Sequence, residues 1–204
     1  LSCISCDSQY YISHGRPALL CTGNDLLCVG EYRNHGLPDL IAKGQTWQCF
    51  MSTASVNLAS QRVLSIVREV LEEMPSSIVL ALGAGHQREW LNERLGSGNW
   101  VRGVYSDVDL FCDGHDLPFV DGSFDAVVTT AVLEHVLYPE QVAAEIGRVI
   151  KTGGLLYSEL PFIQQVHEGA YDFTRFTLSG HRRLFNQFTE IDAGMVAGPA
   201  TAFV

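Results

Sequence analysis

The sequence has few basic residues and no long apolar run. It contains 13 Lys and Arg against 23 Asp and Glu, which gives a formal net charge of −10 over 204 residues. Nucleic-acid binding needs many Lys and Arg against phosphate, so we expect no nucleic-acid partner. No stretch approaches the roughly 18 consecutive apolar residues of a membrane helix, so we expect no membrane span. No basic stretch leads into an apolar one near Leu1, so we also expect no signal peptide.

Cysteine is almost missing from the last three quarters of the chain. Of the six cysteines, only Cys112 lies beyond residue 50; the others are Cys3, Cys6, Cys21, Cys28 and Cys49. A secreted disulfide scaffold is normally shorter and denser in cysteine, so the sequence favours a cytoplasmic protein with reduced thiols. The Cys3-x-x-Cys6 spacing is that of a metal knuckle, which makes these two residues candidate zinc ligands. Free buried thiols are the favoured alternative.

The composition divides the chain into three parts. Residues 1–50 form a small Cys- and Gly-rich lobe, with short extended patches at 10–12 and 18–20. Residues 51–75 predict a connecting helix, because apolar side chains recur there at spacings of three and four. Residues 76–204 form the main domain.

The main domain alternates short apolar runs with helical patterns. The sequence predicts helices at 87–95 and 139–150, with Gly153-Gly154 as a break after the second. The predicted strands are 78–82, 100–104, 108–112, 124–129 and 155–160. This order indicates an α/β fold: a doubly wound, Rossmann-like parallel sheet with helices on both faces, plus the small irregular N-terminal lobe.

Two strand ends carry candidate ligand-binding residues. Gly83-Ala84-Gly85 follows the 78–82 strand, and glycine there lets the backbone turn sharply and approach a ligand. A plain tight turn explains the same pattern equally well. Asp113 follows the 108–112 strand, where a carboxylate can accept a hydrogen bond from a ligand's amine. The alternative for Asp113 is the capping of a turn.

Several longer runs carry a family resemblance. They are residues 80–85, 116–125, 132–136 and 145–154, and the likeness continues into 172–177. In this order and spacing they resemble the class I methyltransferases that use S-adenosylmethionine, of the methyltransferase type 11 kind. The segment from Cys3 to 20 resembles the second half of a small zinc ribbon that precedes some methyltransferases.

The resemblance implies a function and a cofactor site. It implies transfer of a methyl group from S-adenosylmethionine to a small-molecule or glycan-type acceptor. The glycine turn would pack against the methionine part of the cofactor, an acidic residue would contact the adenine amine, and Thr129 and Thr130 would line the cleft. The residues that the resemblance places at the cofactor are Gly83, Ala84, Gly85, Asp107, Asp113, Gly114 and Thr130.

Three positions depart from the family pattern. Ala81 stands where a carboxylate is usual, Gln87 where a third glycine is usual, and Tyr105 where the acidic residue for the ribose is usual. Asp107 is the candidate substitute for that ribose contact. These departures favour an alternative: a non-catalytic relative with an eroded cofactor site that acts as a binding or assembly partner. A dehydrogenase that uses NAD is disfavoured, because its third glycine would fall at Arg88.

The catalytic residue is not fixed by the sequence, which offers three candidates: His135, His167 and Tyr171. His167, Tyr171, Asp172 and Arg175 follow the last predicted strand and are the candidate substrate contacts. Two alternatives stay open. Glu134 and His135 can instead support the start of a helix, and Asp172 and Arg175 can form an ion pair that fixes a surface loop.

Overall fold

The structure is a computed structural model that describes residues 9–13, 16–19, 65–69, 71–73, 76–83, 99–103, 109–164, 166 and 171–195. Its strands are β1 (Tyr11–Ser13), β2 (Arg16–Leu19), β3 (Ile78–Leu82), β4 (Asn99–Gly103), β5 (Phe111–Cys112), β6 (Phe124–Thr130) and β7 (Ile150–Glu159). Its labelled helices are the short 3-10 helix η1 (Leu133–His135), α1 (Pro139–Val149) and α2 (Leu178–Leu184). Residues 65–69 and 71–72 are also helical, within the predicted connecting helix.

Four strands form a parallel sheet in the order β4-β3-β6-β7. The chain therefore moves outward from β3 to β4 and then returns to the other side of β3 with β6. The carboxyl ends of neighbouring strands diverge at such a reversal, which is where open α/β sheets bind ligands. The strand order confirms the predicted doubly wound fold.

Apolar side chains cover both faces of this sheet. On one face, α1 contributes Val142, Ile146 and Val149, which are buried against Leu80 and Val127 of the sheet. On the other face, the connecting helix contributes Val67 and Leu71, which pack against a second buried cluster. That cluster comprises Val79, Ala81, Ala126, Val128 and Tyr157. The predicted helices on both faces are thus confirmed within the described residues.

A second sheet joins residues 11–19 to β5. β1 and β2 form an antiparallel hairpin, and β2 pairs in parallel with β5, with Ala18 opposite Phe111 and Leu19 opposite Cys112. The extended patches predicted at 10–12 and 18–20 correspond to this hairpin. The two sheets also share a core, because Cys112 and Leu110 lie in the same buried cluster as Leu80.

Arg148 fastens the loop before β6 to α1. Its guanidinium donates to both carboxylate oxygens of Glu145, at 2.7 and 2.6 Å, and to the carbonyl oxygens of Leu117 and Phe119, at 2.8 and 2.6 Å. It also donates to Asp121, at 2.9 Å. The hydrogen bonds that Arg148 donates to Glu145, and then to Asp121, raise the pKa of Arg148, whereas Arg148 lowers the pKa of Glu145. The Arg148 side chain therefore bonds to three residues of the loop, Leu117, Phe119 and Asp121.

The end of α1 corrects one prediction. The helix ends at Val149, and β7 begins directly at Ile150 and continues through both glycines to Glu159. The predicted break at Gly153-Gly154 is therefore wrong. A Cβ on Gly154 would lie 2.7 Å from the carbonyl oxygen of Asp125, so this glycine lets β7 approach β6 rather than ending an element.

No helix in the described part of the chain is long and apolar enough to cross a membrane. The predicted helix at 87–95 lies outside the described residues, as does most of the N-terminal lobe.

Asp125 ties three strands together, and its contribution to stability depends on pH. Its carboxylate accepts hydrogen bonds from the Lys151 ammonium at 2.7 Å and from the backbone N–H of Ile78 at 2.8 Å. These two bonds lower the pKa of Asp125. A lowered pKa in the folded state gives stability that is present above the unfolded pKa of about 3.9 and is lost as the pH falls through the folded value.

We therefore expect Asp125→Asn to reduce the free energy of unfolding at pH 7 and to reduce it progressively less below about pH 4. Urea unfolding of both proteins between pH 7 and pH 3 measures this difference. Asp192→Asn removes an exposed carboxylate and serves as the control. A difference between Asp125→Asn and the unmodified protein that stays constant down to pH 3 would contradict the assigned role.

Candidate functional site

The carboxyl edge of the four-stranded sheet brings together the ends of β3, β6 and β7. In the strand register, Leu82 lies opposite Thr129, and Thr129 lies opposite Ser158. Thr130 lies opposite Glu159 at the very end of β7. Gly83, the first residue after β3, therefore lies beside the end of β6. This is the edge at which the sequence predicts the cofactor cleft.

Position 83 requires glycine for two reasons, its backbone conformation and the close approach of Val132. Its φ is +68°, in the left-handed region that glycine adopts without strain. A Cβ at this position would lie 2.2 Å from Cγ2 of Val132, in the segment after β6. That segment turns sharply at Ala131, whose φ is +52° and whose N–H donates to the carbonyl oxygen of Glu159. The chain after β6 thus passes close over the end of β3.

Asp113 begins a turn at the end of β5. Its Oδ1 accepts hydrogen bonds from the backbone N–H of His115, at 2.9 Å, and from Nδ1 of the same residue, at 2.7 Å. Nε2 of His115 accepts from the backbone N–H of Tyr138, and the side chain of Gln141 donates to the carbonyl oxygen of His115. The Asp113 side chain is 18% exposed, so solvent still reaches it. The predicted turn-capping role is therefore present, and the carboxylate remains accessible to a ligand.

Cys112, directly before Asp113, is not a nucleophile. The side chain is buried, and this burial, with a smaller contribution from the charge of Asp113, raises the pKa of the thiol to about 12. The thiol is therefore protonated at neutral pH and acts as a small apolar core residue.

The segment 171–175 is bound to η1. The carbonyl oxygen of Glu134 accepts hydrogen bonds from the N–H groups of Phe173 and Thr174. The guanidinium of Arg175 donates two hydrogen bonds to the carboxylate of Asp172, one of them at 2.6 Å. The Asp172 carboxylate, and to a smaller extent Glu134, raise the pKa of Arg175. The ion pair named as the alternative role of Asp172 and Arg175 is therefore formed.

His135 has one ring nitrogen that can accept a proton. Its Nδ1 lies 2.7 Å from the carbonyl oxygen of Tyr171. A carbonyl can only accept, so Nδ1 carries the hydrogen and Nε2 of the neutral ring carries the lone pair. Oε1 of the fully buried Glu134 lies 3.7 Å from Nε2. The structure thus brings His135 and Tyr171, two of the predicted catalytic candidates, into contact.

The described residues fit an adenosyl cofactor at several points. The Thr129 hydroxyl is fully buried at the end of β6 and has no hydrogen-bond partner among the described residues. Such a group normally finds a partner, so its position favours a polar ligand at this edge. Asp113 offers a carboxylate to an amine. Ala81 is buried in the apolar cluster under the connecting helix and offers no polar contact.

Of the remaining predicted site residues, Gly114 is described and six others are not. Gly114 is half-buried and faces Val142 of α1, at an ordinary contact distance for an added Cβ. Ala84, Gly85, Asp107, His167, Cys3 and Cys6 lie outside the described residues and stay predictions. No group of three or more metal-binding side chains occurs within the described ranges.

The sequence alone does not predict the contacts made by Arg148, Val132 and His115. The Arg148–Glu145 pair could have been predicted from its spacing, because a Glu and an Arg three residues apart lie on one helix face. The contacts of Val132 and His115 join segments far apart in sequence and leave no local pattern.

A family model described as a methyltransferase domain matches residues 99–158. These residues include β5, β6, η1 and α1, and with them Asp113, Thr129 and His135. The match therefore covers much of the site described above.

Curated relatives are similar over part of the chain. An uncharacterized 37.1 kDa protein in transposon TN4556 of Streptomyces fradiae is 50% identical over 117 residues, which is 48% of this chain and 34% of that protein. A demethylmenaquinone methyltransferase of Renibacterium salmoninarum is 33% identical over 121 residues, or 58% of this chain and 49% of that protein. The chain thus spans between a third and a half of the length of these two relatives.

Among solved structures, similarity extends to a methyltransferase in complex with the Trm112 methyltransferase activator of Haloferax volcanii. The identity is 21% and the TM-score 0.44, over 65% of this chain and 76% of that one. The fold itself is established by the parallel strand order β4-β3-β6-β7. Residues 99–158 are therefore similar to a methyltransferase domain, in agreement with the resemblance found in the sequence.

Proposed function

We propose that this chain binds S-adenosylmethionine at the carboxyl edge of the sheet and transfers its methyl group to a small-molecule acceptor. The observation that carries the proposal is the register that sets Leu82, directly before Gly83, opposite Thr129, whose buried hydroxyl has no partner among the described residues. The family match over residues 99–158 supports it.

The protein's part in this reaction is to bind and orient. When bound, the cofactor supplies an already activated methyl group, so the chain needs mainly to hold an acceptor in line with it. Asp113 would accept a hydrogen bond from the adenine amine. For an acceptor that keeps its proton at neutral pH, Nε2 of His135 is the proposed proton acceptor. The variant His135→Asn keeps an N–H group that can donate to the Tyr171 carbonyl oxygen, but it removes Nε2. An unchanged kcat in this variant would reject the role of His135 as proton acceptor.

The residues after β7 favour an acceptor with an apolar part. Phe162, Ile163, Tyr171 and Phe173 are exposed there. A glycan-type acceptor would instead need accessible polar side chains, and Asp172 is engaged with Arg175. Quinone precursors fit the apolar description and correspond to the acceptor named for the Renibacterium relative. Demethylmenaquinone is therefore the first acceptor to assay.

A second candidate is a methyltransferase-like protein that binds a partner without transferring methyl groups. Ala81 favours it, because this buried apolar residue replaces the usual carboxylate. Loss of a charge-assisted hydrogen bond would cost about 1.5–3 kcal/mol of cofactor binding. The two candidates differ in one property, which is measurable affinity for the cofactor.

Calorimetric titration with S-adenosylhomocysteine tests the proposal. We expect the unmodified protein to bind, and Asp113→Asn to weaken binding about 10- to 100-fold through loss of a charge-assisted hydrogen bond. Asp192→Asn, an exposed carboxylate elsewhere, is the matched control and should leave affinity unchanged. No heat of binding at millimolar ligand would reject the proposal in favour of the non-catalytic candidate.

A further inference from the structure

The N-terminal hairpin meets the main domain at the strand that leads into Asp113. β5 has only two residues, Phe111 and Cys112, and both lie opposite residues of β2. The structure places β5 in one three-stranded sheet with the hairpin, apart from the four-stranded sheet. A two-stranded hairpin is marginally stable alone, so pairing with β5 stabilises both partners.

The turn after β5 has two anchors. Its far end is fixed to the start of α1, where the N–H of Tyr138 and the side chain of Gln141 bond to His115. Its near end continues directly from β5, and β5 is held by β2. Within the turn, the N–H of Asp116 donates to the carbonyl oxygen of Asp113. The position of the Asp113 carboxylate therefore depends on the hairpin as well as on α1.

We propose that the hairpin β1–β2 is a positioning element of the cofactor site: by pairing with β5 it holds the Asp113 carboxylate where the adenine amine would bind. This inference rests on the proposed function. The hairpin touches no reacting atom; it acts through β5 and the turn that begins at Asp113. Loosening the hairpin should therefore affect recognition of the adenine ring more than the fold of the four-stranded sheet.

Proline in β2 tests this role in the full chain. Successive residues of a strand direct their backbone groups to opposite neighbours, so either Ala18 or Leu19 bonds to β5, and Ala18→Pro and Leu19→Pro together cover both cases. Ile12→Thr changes an exposed residue of β1 and is the control. Circular dichroism confirms that each variant is folded before binding is measured.

Two readouts separate positioning from general damage. Hydrogen exchange of the amides in 109–116 reports whether the turn has loosened. Affinity for S-adenosylhomocysteine, compared with S-inosylhomocysteine, reports recognition of the exocyclic amine, which the inosyl compound lacks. We expect at least one proline variant to speed exchange and to reduce the preference for the adenosyl ligand about tenfold. Combined with Asp113→Asn, it should then reduce that preference no further, because the same contact is already lost.

The outcomes are distinct for the two proposals. Binding by the unmodified protein, together with an undiminished preference in both proline variants, would overturn the positioning role and leave the proposed function intact. An equal loss of affinity for both ligands would also overturn it. Absence of binding by the unmodified protein would overturn the proposed function and, with it, this inference.

Discussion

Replacing Arg148 with methionine is expected to lower the free energy of unfolding by about 2–4 kcal/mol. Removing one member of a buried ion pair costs roughly 3–5 kcal/mol, and the Arg148 side chain is 30% exposed, which reduces the loss. The change removes the donors to Glu145, Asp121 and the carbonyl oxygens of Leu117 and Phe119. Urea unfolding monitored by circular dichroism measures the difference.

Arg182 provides the matched control for Arg148. It also forms a two-bond pair with a carboxylate, that of Glu190, but both side chains are exposed. Surface pairs contribute little to stability, so Arg182→Met should change it little. Arg148→Lys should recover only part of the loss, because an ammonium cannot reach all the acceptors of a guanidinium. Equal effects of Arg148→Met and Arg182→Met would refute the role of Arg148.

The second large effect is expected for Gly83→Ala. A left-handed φ costs a non-glycine residue about 1–2 kcal/mol, and the added Cβ would clash with Val132 at 2.2 Å. Overpacking typically costs a further ~1–3 kcal/mol, so we expect a total of about 2–5 kcal/mol. Affinity for S-adenosylhomocysteine should fall as well, because relief of the clash displaces the segment after β6.

Gly153→Ala separates the conformational cost of the Gly83→Ala change from its steric cost. Gly153 has a φ of +79°, but an added Cβ would have no neighbour within 4 Å. This variant should therefore show the conformational cost alone. Val132→Ala introduced together with Gly83→Ala should relieve the steric part and leave the conformational part. If Gly83→Ala were no more destabilising than Gly153→Ala, the close approach of Val132 would be wrong.

Local patterns in the sequence were enough to predict most of the main sheet. The apolar run 78–82 is β3, and the predicted helix at 139–150 is α1 to within a residue. The first is a short continuous apolar run, as in a strand buried on both faces, and the second has helical periodicity, so both can be predicted without tertiary information. The strand β7 was predicted too short because two adjacent glycines are a strong local sign of a break. Only the packing of β7 against β6 shows why glycine is needed within the strand.

The site depended more on contacts between distant segments. The resemblance to methyltransferases led to Gly83, Asp113 and Thr130, each at a strand end. It could not show that Val132 folds over Gly83, or that the 171–175 segment binds to η1 through Glu134. Pairing of the N-terminal hairpin with β5 joins residues about ninety positions apart, and no periodicity within either segment encodes it.

Thermal unfolding with S-adenosylmethionine and S-adenosylhomocysteine, with NAD as the control ligand, tests the central claim most directly. A ligand at 100 times its dissociation constant adds about 2.7 kcal/mol of stability, which raises the midpoint of a domain of this size by roughly 5–10 °C. If the chain binds an adenosyl cofactor, the midpoint rises with both adenosyl ligands and does not rise with NAD. An unchanged midpoint with millimolar adenosyl ligand, or an equal rise with NAD, would contradict it.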